Sequence, residues 1–273
     1  RGHKVLPYCP RCGTALSSHE LAQGYETVQT NSIFVTFPLA DDPKRNLVIW
    51  TTTPWTLLSN IAVAVHPDLE YGEYELDGST YIVATARAAH VHVGRKPIAD
   101  GRQLEAYSGR DLAGWSYTRP LDVVKLPAEG KRAIVVTGEF VSAEDGSGLV
   151  HMAPAFGADD YAAARQHGLA FVNPVAPDGT FTGTSFAEVE GKLVTDKETN
   201  RLIIERLKHD GRWLETLPHS HTYPFCWRCD SALISYARSS WFELTTGFKD
   251  RTLELNAQVD RHPPEAGAGR DGA

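Results

Sequence analysis

The stretch GSGLVHMAPAFGADDY, residues 146–161, changes local structure twice within one short motif. A glycine-rich turn leads into a short apolar strand, predicted over Gly148 to Met152, and a loop of small residues then leads into a helix, predicted over Asp159 to His167. The strand carries His151, and the first turn of the helix carries Asp160. Taken singly, such a histidine is most often part of a core and such a carboxylate most often a cap. Their closeness in sequence, beside two turns of small residues, makes them candidate site residues.

The rest of the chain predicts many short strands around a few helices. Apolar and β-branched runs predict strands over Ser32 to Leu39, Leu47 to Trp50, Ile61 to Val65, Thr80 to Thr85 and Arg132 to Val141. A short helix is predicted over Arg87 to Val93, and a longer one over Asp196 to Asp210, which ends before Gly211. This pattern indicates the α+β class.

A second candidate site follows the predicted strand that ends at Trp50. The run WTTTPWT, residues 50–56, continues to Asn60. Threonine is common in strands, so a threonine run is usually only a pleated surface. Pro54, however, removes a backbone donor and ends regular pairing. The hydroxyls therefore collect at a strand end, where they can bind a ligand or hold a water.

All four cysteines fall in two C-x-x-C pairs, Cys9 with Cys12 and Cys226 with Cys229. Together they can supply the thiolates of a tetrahedral zinc site with bonds of about 2.3 Å. The pairs are more than two hundred residues apart, so the metal would clamp the two ends of the chain together and offset the entropy of closing a long loop. Four thiolates leave no open coordination position, which favours a structural zinc. The alternative is two unrelated pairs of free thiols.

Composition and charge narrow the function classes. The chain of 273 residues is 42% hydrophobic and 22% charged, which is the usual balance of a globular protein. A net charge of −7 gives no general attraction to nucleic acid, so an RNA partner would need a local basic patch and a matching shape. Phosphate-loop, G-x-S-x-G and H-E-x-x-H motifs are absent. The start at Arg1 favours a segment of a longer protein over a processed terminus.

Three motifs together resemble the inserted editing domain of isoleucyl-tRNA synthetases: WTTTPWTLLSN (residues 50–60), GSGLVHMAPAFGADDY and HTYPFCWRCDSALI (residues 221–234). The resemblance runs from about Lys4 to Phe242. The related valyl and leucyl domains look like T-T-R-P-[ED]-T, and Thr53 and Trp55 stand in place of the arginine and the acid, which favours the isoleucine enzyme. The H-I-G-H and K-M-S-K-S motifs of the ATP-binding aminoacylation site are absent, so this chain is not expected to charge tRNA.

The resemblance implies an α+β fold with a β-barrel-like editing core, a few peripheral helices and a zinc-ribbon-like base. Residues 1–25 and 215–245 are expected to form the zinc-binding base, and residues 26–214 the editing domain. Residues 246–273 are expected to form a flexible or altered tail, because the end of the chain is rich in glycine, proline, alanine and charge.

The implied activity is hydrolysis of mischarged Val-tRNA(Ile), with valyl-adenylate as a further substrate. Asp160 would bind the α-ammonium of the valyl group. The attacking water would be held by a Thr53 hydroxyl or by a His151 ring nitrogen, and the sequence does not decide between them. The implied roles are catalytic for Asp160, Thr53 and His151, substrate-binding for Trp50, Thr51, Thr52, Thr56 and Asn60, and structural Zn²⁺ binding for Cys9, Cys12, Cys226 and Cys229.

The implied partners are the acceptor end of tRNA(Ile) carrying valine and the remainder of the synthetase, with no membrane partner. A monomer in the cytoplasm is expected. Two alternatives stay open. The chain can be a non-catalytic zinc-ribbon module that binds RNA, or a free-standing deacylase that acts in trans. The second would need its own basic surface for tRNA, which a net charge of −7 does not indicate.

Overall fold

A computed structural model describes residues 2–259 and residue 262. The strands are β1 (Gly2–Cys9), β2 (Thr14–Ala15), β3 (Tyr25–Pro38), β4 (Arg45–Thr51), β5 (Ala62–Val65), β6 (Glu70–Leu76), β7 (Ser79–Ala84), β8 (His92–Val93), β9 (Lys96–Pro97), β10 (Arg102–Ser108), β11 (Ile134–Thr137), β12 (Leu149–Met152), β13 (Trp213–Pro224) and β14 (Ile234–Ser240). The α-helices are α1 (Ser18–Leu21), α2 (Gly109–Leu112), α3 (Ala158–His167), α4 (Lys197–His209) and α5 (Lys249–Asn256). Short 3₁₀ helices span Pro54–Ser59, Thr85–Arg87, Ile98–Asp100 and Thr245–Gly247.

The largest sheet has six strands in the order β10-β6-β7-β4-β3-β13. All neighbours in it are antiparallel except β4 and β7, which are parallel. Along β3 and β4, Val35 lies opposite Ile49 and Phe37 opposite Leu47. The predicted α+β class, with several sheets and few helices, is confirmed.

Both faces of this sheet are covered at its centre. Ile33, Val35 and Phe37 of β3 belong to the main core, whereas Phe34 packs with Val48 in a second cluster on the other side. A strand that is buried on both faces must be apolar at nearly every position. This explains why the buried second half of β3 and the centre of β4 are recognisable from sequence as largely apolar runs, whereas the exposed and polar first half of β3 is not.

A three-stranded sheet, β11-β5-β12, holds the other half of the candidate site. Strand β5 pairs parallel with β11 and antiparallel with β12, and β12 also packs against β4 of the large sheet. The two motifs that the sequence singled out therefore meet, because one lies at the end of β4 and the other along β12.

The two helices predicted around the site motif and before Gly211 are confirmed. Helix α3 ends at Gly168, which has a left-handed backbone with φ of 66°. Helix α4 begins after Asp196, whose side chain accepts a hydrogen bond from the Glu198 N–H, and it buries Ile203 and Leu207.

Two sequence predictions are wrong in detail. Residues 87–93 do not form a helix: a 3₁₀ helix, Thr85–Arg87, is followed by a turn and strand β8. The Ala88 carbonyl accepts from the Ala99 N–H and the Val91 carbonyl from the Ile98 N–H, so these acceptors do not bond within a helix. The strand predicted over residues 132–141 is only Ile134–Thr137 long. The N–H of Gly138 donates to the carbonyl of Val65, and the chain then turns, with the Val141 N–H donating to the Gly138 carbonyl.

The chain divides into two compact units, Lys4–Arg238 and a smaller one formed by Arg1–His3 with Ser239–Ala273. The smaller unit contains helix α5, which the sequence did not predict and whose residues are all at least partly exposed. Residues 260, 261 and 263–273 of the predicted tail lie outside the described residues, and the three-part division at residues 25, 215 and 246 stays a prediction. Among the described helices, none combines the length and apolar character needed to cross a membrane.

Candidate functional site

A cavity of about 420 Å³ lies where the end of β4 meets β12 and the start of α3. This volume is in the range of cavities that take small molecules. The residues that line it are Trp50, Thr51, Thr52, Thr53, Thr56, Phe140, Ser142, Asp145, Gly146, Ser147, Gly148, Leu149, Val150, His151, Ala153, Phe156, Gly157 and Asp160. All the predicted catalytic residues are among them, as are all the predicted substrate-binding residues except Asn60.

Pro54 organises the threonine cluster by starting a 3₁₀ helix directly after β4. The Thr53 N–H donates to the Thr51 hydroxyl at 3.1 Å, and the Thr53 hydroxyl lies 3.4 Å from that of Thr51 and 3.3 Å from that of Thr56. The strand end and the helix start therefore hold three hydroxyl groups in one hydrogen-bonded group at the cavity wall.

His151 faces this group from β12, with its Nε2 atom 2.9 Å from the Thr56 hydroxyl. That hydroxyl also donates to the Thr53 carbonyl at 2.8 Å. Because a hydroxyl has one proton to donate, His151 must then donate from Nε2 and carry its lone pair on Nδ1. Nδ1 is buried and has no hydrogen-bond partner among the described residues. Burial lowers the pKa of His151 to about 4, so the ring is neutral at physiological pH.

Asp160 lies half-buried in the first turn of α3. Burial raises the pKa of its carboxyl group to about 6, and a hydrogen bond of 2.8 Å from the Ala153 N–H to Oδ2 opposes that rise. A side chain at Gly157 would meet the carboxyl group, since a Cβ there would lie 2.7 Å from Cγ of Asp160. The glycine thus leaves the carboxylate room beside the cavity, and a perturbed acid in a cavity is typical of a functional group.

The loop before β12 forms the wall opposite. Gly146 and Gly148 have positive φ angles, and a Cβ on them would lie 2.9 Å from the Trp50 ring and 2.3 Å from the Ala84 side chain. Arg87 fixes this loop, because its guanidinium donates to the Gly146 carbonyl at 2.9 Å and to the Glu144 carbonyl at 3.0 Å. Sequence reasoning missed Arg87, since nothing local in the sequence pairs it with a loop more than fifty residues away.

Asn60 lies behind the site, outside the cavity lining. Its amide donates to the Ala62 carbonyl at 3.0 Å and accepts from the Tyr117 hydroxyl at 2.6 Å. Buried Arg119 donates to the carbonyls of Asn60 and Leu58 at 3.0 and 2.7 Å. These bonds anchor the end of the 3₁₀ helix that carries the threonines, and the predicted substrate-binding role of Asn60 stays a prediction.

The four cysteines come together at one point of the fold. Their Sγ atoms lie within 4.8 Å of one another, and three of the distances are 3.4, 3.5 and 3.9 Å. A disulfide needs about 2.0 Å, whereas the edge of a thiolate tetrahedron with bonds of about 2.3 Å is about 3.8 Å. The cluster can therefore bind a metal, and its geometry fits a tetrahedral ion.

The two cysteine pairs sit on matching turns. The Gly13 N–H donates to the Cys9 carbonyl at 2.9 Å, and the Asp230 N–H donates to the Cys226 carbonyl at 2.8 Å. Both residues have left-handed backbones, with φ of 68° and 54°. Each turn thus presents two sulfur atoms to the same side, which is the arrangement that a shared ion requires.

No protein-family model matches the chain. Isoleucine–tRNA ligase of Streptomyces coelicolor is 43% identical, over 99% of this chain and 25% of the relative. The ligases of Thermoplasma acidophilum and Thermus thermophilus are 41% and 40% identical, over 100% of this chain and 25% of each relative. The chain thus spans about a quarter of the length of these relatives.

Among solved structures, the crystal structure of GlLeuRS-CP1 has a TM-score of 0.52 at 16% identity. The match covers 67% of this chain and 98% of that one, and at this identity it speaks for the fold alone. The resemblance to the isoleucyl-tRNA synthetase family that the sequence motifs indicate is therefore confirmed, for a segment of those enzymes that has the fold of a synthetase connective-peptide domain.

Proposed function

We propose that the chain is a hydrolytic editing domain that removes valine from mischarged Val-tRNA(Ile), and valine from valyl-adenylate as a second substrate. The observation that carries this proposal is a small cavity in which the Asp160 carboxylate faces hydroxyl groups at the end of β4, with Trp50 and His151 in the walls. A carboxylate that can bind a cation, next to hydroxyl groups that can hold a water, suits a substrate that has an ammonium group next to an ester.

Asp160 anchors the α-ammonium group in this proposal. Its Oδ2 atom already accepts the Ala153 N–H, which leaves Oδ1 for the ligand. With a pKa of about 6, the carboxyl group is mostly ionised at neutral pH, so the contact is a charge-assisted hydrogen bond. Fixing the ammonium also fixes the ester carbonyl, which is how such an anchor accelerates attack by water.

Thr53 is the better candidate to hold the attacking water. The Nε2 atom of His151 is already bonded to Thr56, and Nδ1 is buried, so neither ring nitrogen is available to a water in the cavity. The Thr53 side chain is half-buried at the cavity wall, within reach of two other hydroxyls. In this assignment His151 shapes the cavity instead of acting as a base.

The cavity acts as a size filter. An apolar pocket separates isoleucine from valine by only about 1–3 kcal/mol per methylene, as is established for synthetases of this family. A second cavity that admits the smaller side chain and excludes the larger corrects the error. Trp50, Thr53 and His151 set the width of the cavity in this proposal.

The cysteine site and the partners complete the proposal. The four cysteines hold a structural Zn²⁺, which takes no part in ester hydrolysis because no coordination position is left for a substrate. The tRNA acceptor end and the rest of a cytoplasmic synthetase are the partners. Most of the tRNA contacts then lie outside this chain, in agreement with its net charge of −7.

A deacylation assay tests the proposal. The purified chain, in molar excess, is incubated with tRNA(Ile) charged with labelled valine or labelled isoleucine. We expect release of valine well above the spontaneous rate, little release of isoleucine, and weak saturation with tRNA. Binding of tRNA without release of valine would instead identify a non-catalytic RNA-binding module. A reaction that saturates at low tRNA concentration and is as fast as in an intact synthetase would identify a free-standing deacylase.

Replacing His151 with alanine is expected to open the filter. Loss of the ring removes a wall of the cavity, so the ratio of valyl to isoleucyl hydrolysis should fall by about 10- to 200-fold, the value of one methylene in a pocket. His151→Gln retains a polar group of similar reach toward Thr56 and serves as the control. An unchanged ratio in the alanine variant would remove His151 from the filter.

The pH dependence should report Asp160. Because its pKa in the free protein is about 6 and the anionic form binds the ammonium, kcat/KM should be level near pH 7.5 and fall as the pH drops below 6. At pH 5 it should be about tenfold below the plateau. Initial rates of valyl ester hydrolysis, corrected for the spontaneous reaction, measure this profile. A profile that is flat down to pH 5 contradicts the anchor.

A further inference from the structure

We propose that the backbone N–H groups of Ser147 and Gly148 form an oxyanion hole, which stabilises the negative charge that develops on the ester carbonyl oxygen during hydrolysis. Both residues are buried and line the cavity. The inference rests on the proposed function and deepens it, because it assigns catalytic groups to a loop that otherwise only shapes the wall.

The carbonyl groups that precede these two N–H groups are bound from behind the loop. The Gly146 carbonyl accepts a hydrogen bond from the Arg87 guanidinium at 2.9 Å. The Ser147 carbonyl accepts one from the Ala84 N–H, also at 2.9 Å. Neither donor belongs to a residue that lines the cavity. The C=O and N–H of one trans peptide unit point in opposite directions, so the two N–H groups point away from these donors, on the cavity side of the loop.

Both N–H groups are free to donate. Neither has a hydrogen-bond acceptor among the residues that the structure describes, although more than nine-tenths of buried backbone N–H groups in proteins are paired. Gly146 and Gly148, on either side of Ser147, have φ angles of 65° and 77°. Successive N–H groups converge where left-handed residues alternate with ordinary ones, and such a concave backbone binds anions.

The loop is held rigidly in this conformation. The buried Tyr71 hydroxyl donates to the Gly148 carbonyl at 3.0 Å and accepts from the His66 N–H at 2.8 Å. A Cβ on Gly148 would lie 2.3 Å from the Ala84 side chain, so the loop rests directly on β7. Donors that are fixed before the reaction need no reorganisation when charge develops, which is why they stabilise a transition state well.

The Ser147 side chain is not the group that faces the ester. Its hydroxyl donates to the Leu149 carbonyl and accepts from the Leu149 N–H, each at 3.4 Å. The hydroxyl is therefore occupied within its own loop, and the backbone of the loop is left to contact the ligand.

The proposed step places the ester between two walls. Asp160 binds the ammonium group, and the water held by Thr53 attacks the carbonyl carbon. A bond forms from the water oxygen to this carbon, and the π electron pair of the C=O bond moves onto the carbonyl oxygen, which the two N–H groups bind. The C=O bond then re-forms, the bond to the ribose oxygen breaks, and the proton that the water lost ends on that oxygen. The N–H groups bind the anionic oxygen more strongly than the ester carbonyl, so they lower the barrier.

Replacing a single backbone amide with an ester tests the hole, because it removes one N–H and keeps the side chain. In the whole chain, we expect Gly148→glycolic acid to lower kcat for Val-tRNA(Ile) by about 100- to 1,000-fold, the loss typical of one oxyanion-hole donor. KM should change little, since the contact forms in the transition state. Single-turnover rates over a range of enzyme concentrations measure both constants.

Ala84→lactic acid is the matched control. An ester at Gly148 also weakens the Ser147 carbonyl as an acceptor, and the control removes the Ala84 N–H that this carbonyl binds while it keeps both loop N–H groups. It should lower kcat at most about tenfold, the worth of one neutral hydrogen bond. Equal losses in the two variants would show that the Gly148 N–H acts only through the shape of the loop, and would overturn the hole.

Binding of a tetrahedral anion tests the same N–H groups without hydrolysis. The probes are the monomethyl ester of 1-amino-2-methylpropylphosphonic acid, which is tetrahedral and anionic, and valinamide, which is planar and neutral at its carbonyl; calorimetry measures both affinities. The unaltered chain should bind the phosphonate at least about tenfold more tightly. Gly148→glycolic acid should remove most of this preference and leave the affinity for valinamide unchanged.

Failures of the two proposals are distinguishable. If the phosphonate binds no more tightly than valinamide, or if Gly148→glycolic acid changes neither kcat nor the phosphonate affinity, the oxyanion hole is overturned and cleavage of valyl esters still supports the editing activity. If valyl esters are not cleaved but the preference for the phosphonate depends on the Gly148 N–H, the editing activity fails and the anion-binding loop stands.

Discussion

Replacing Asp160 with asparagine is expected to lower the rate of valyl ester hydrolysis at least about 100-fold, the scale of losing the group that positions a substrate. Asparagine has nearly the same shape, and its side-chain oxygen can still accept the Ala153 N–H that Oδ2 accepts now. The change therefore removes the charge that binds the ammonium and little else. Single-turnover rates with Val-tRNA(Ile) measure the loss, and Asp159→Asn, on the exposed side of the same helix turn, is the matched control.

The same variant should be at least as stable as the original chain at neutral pH. Burial raises the pKa of Asp160 from 3.8 to about 6, so the folded state holds a proton more tightly than the unfolded state does. Relative to a protonated side chain, folding with Asp160 ionised then costs on the order of 2–3 kcal/mol. That cost is absent below the unfolded pKa of 3.8, grows as the pH rises from there to the folded pKa of about 6, and stays constant above it.

Urea denaturation at two pH values measures how the stability depends on the ionisation of Asp160. Urea midpoints for the asparagine variant should exceed those of the original chain at pH 7.5, and the difference should shrink near pH 4, where both side chains are uncharged. A residue that costs stability and supports activity is typical of a functional site. Full activity in the variant, or a large loss of stability at pH 7.5, would remove Asp160 from its proposed role.

The sequence predicts an element of this fold where the element's own residues carry the full pattern of apolar and polar positions. The second half of β3 and the centre of β4 are buried on both faces, so their apolar runs are visible locally. Strand β13 was missed, because it is half-exposed and alternates polar with aromatic residues along a sheet edge. Residues 87–93 have a composition that permits a helix, but the carbonyls of Ala88 and Val91 bond to residues further along the chain, and those bonds have no local signal.

The candidate site follows the same rule. The threonine run, His151 and Asp160 belong to motifs with recognisable spacing, and the structure brings them to one cavity. Asn60 belongs to the same motif as the threonines, but its side chain points into the interior, because its amide donates a hydrogen bond to the carbonyl of Ala62, just after the 3₁₀ helix.

Loss of the proposed zinc ion is the second change from which we expect a large effect. Cys12 and Cys226 are 214 positions apart, so ligation by both pairs closes a loop that includes most of the chain. A cross-link over a loop of this length is worth about 5 kcal/mol in the chain-entropy model. For a domain of this size, removing it should lower Tm by about 10–20 °C. Thermal unfolding with and without a strong chelator measures the effect.

Variants show whether the four thiols act as one site. Cys12→Ser and Cys229→Ser should each cost nearly as much as the double variant, because either change breaks the same tetrahedron, and the chelator should have little further effect on any of them. Cys12→Ser should also reduce the bound zinc measured by emission spectroscopy to well below one ion per chain. An unaltered chain that contains no zinc and is insensitive to the chelator would instead support the alternative of free thiols.

The metal should also matter to the cavity, although no ion is needed at the ester. Tyr8 precedes Cys9 and stacks on Tyr236 at 5.0 Å, and Tyr236 lies 6.5 Å from Phe156, which lines the cavity. The Ala237 N–H also donates to the carbonyl of Ala155 in the same wall. Loosening the cysteine base therefore removes support from the segment of the cavity wall that lies just before Asp160 in the chain.

We expect chelation, at a temperature where the chain stays folded, to raise KM for valyl esters more than it lowers kcat, and added Zn²⁺ to restore both. Chelation that lowers kcat alone would contradict this route and point to a metal at the reacting group.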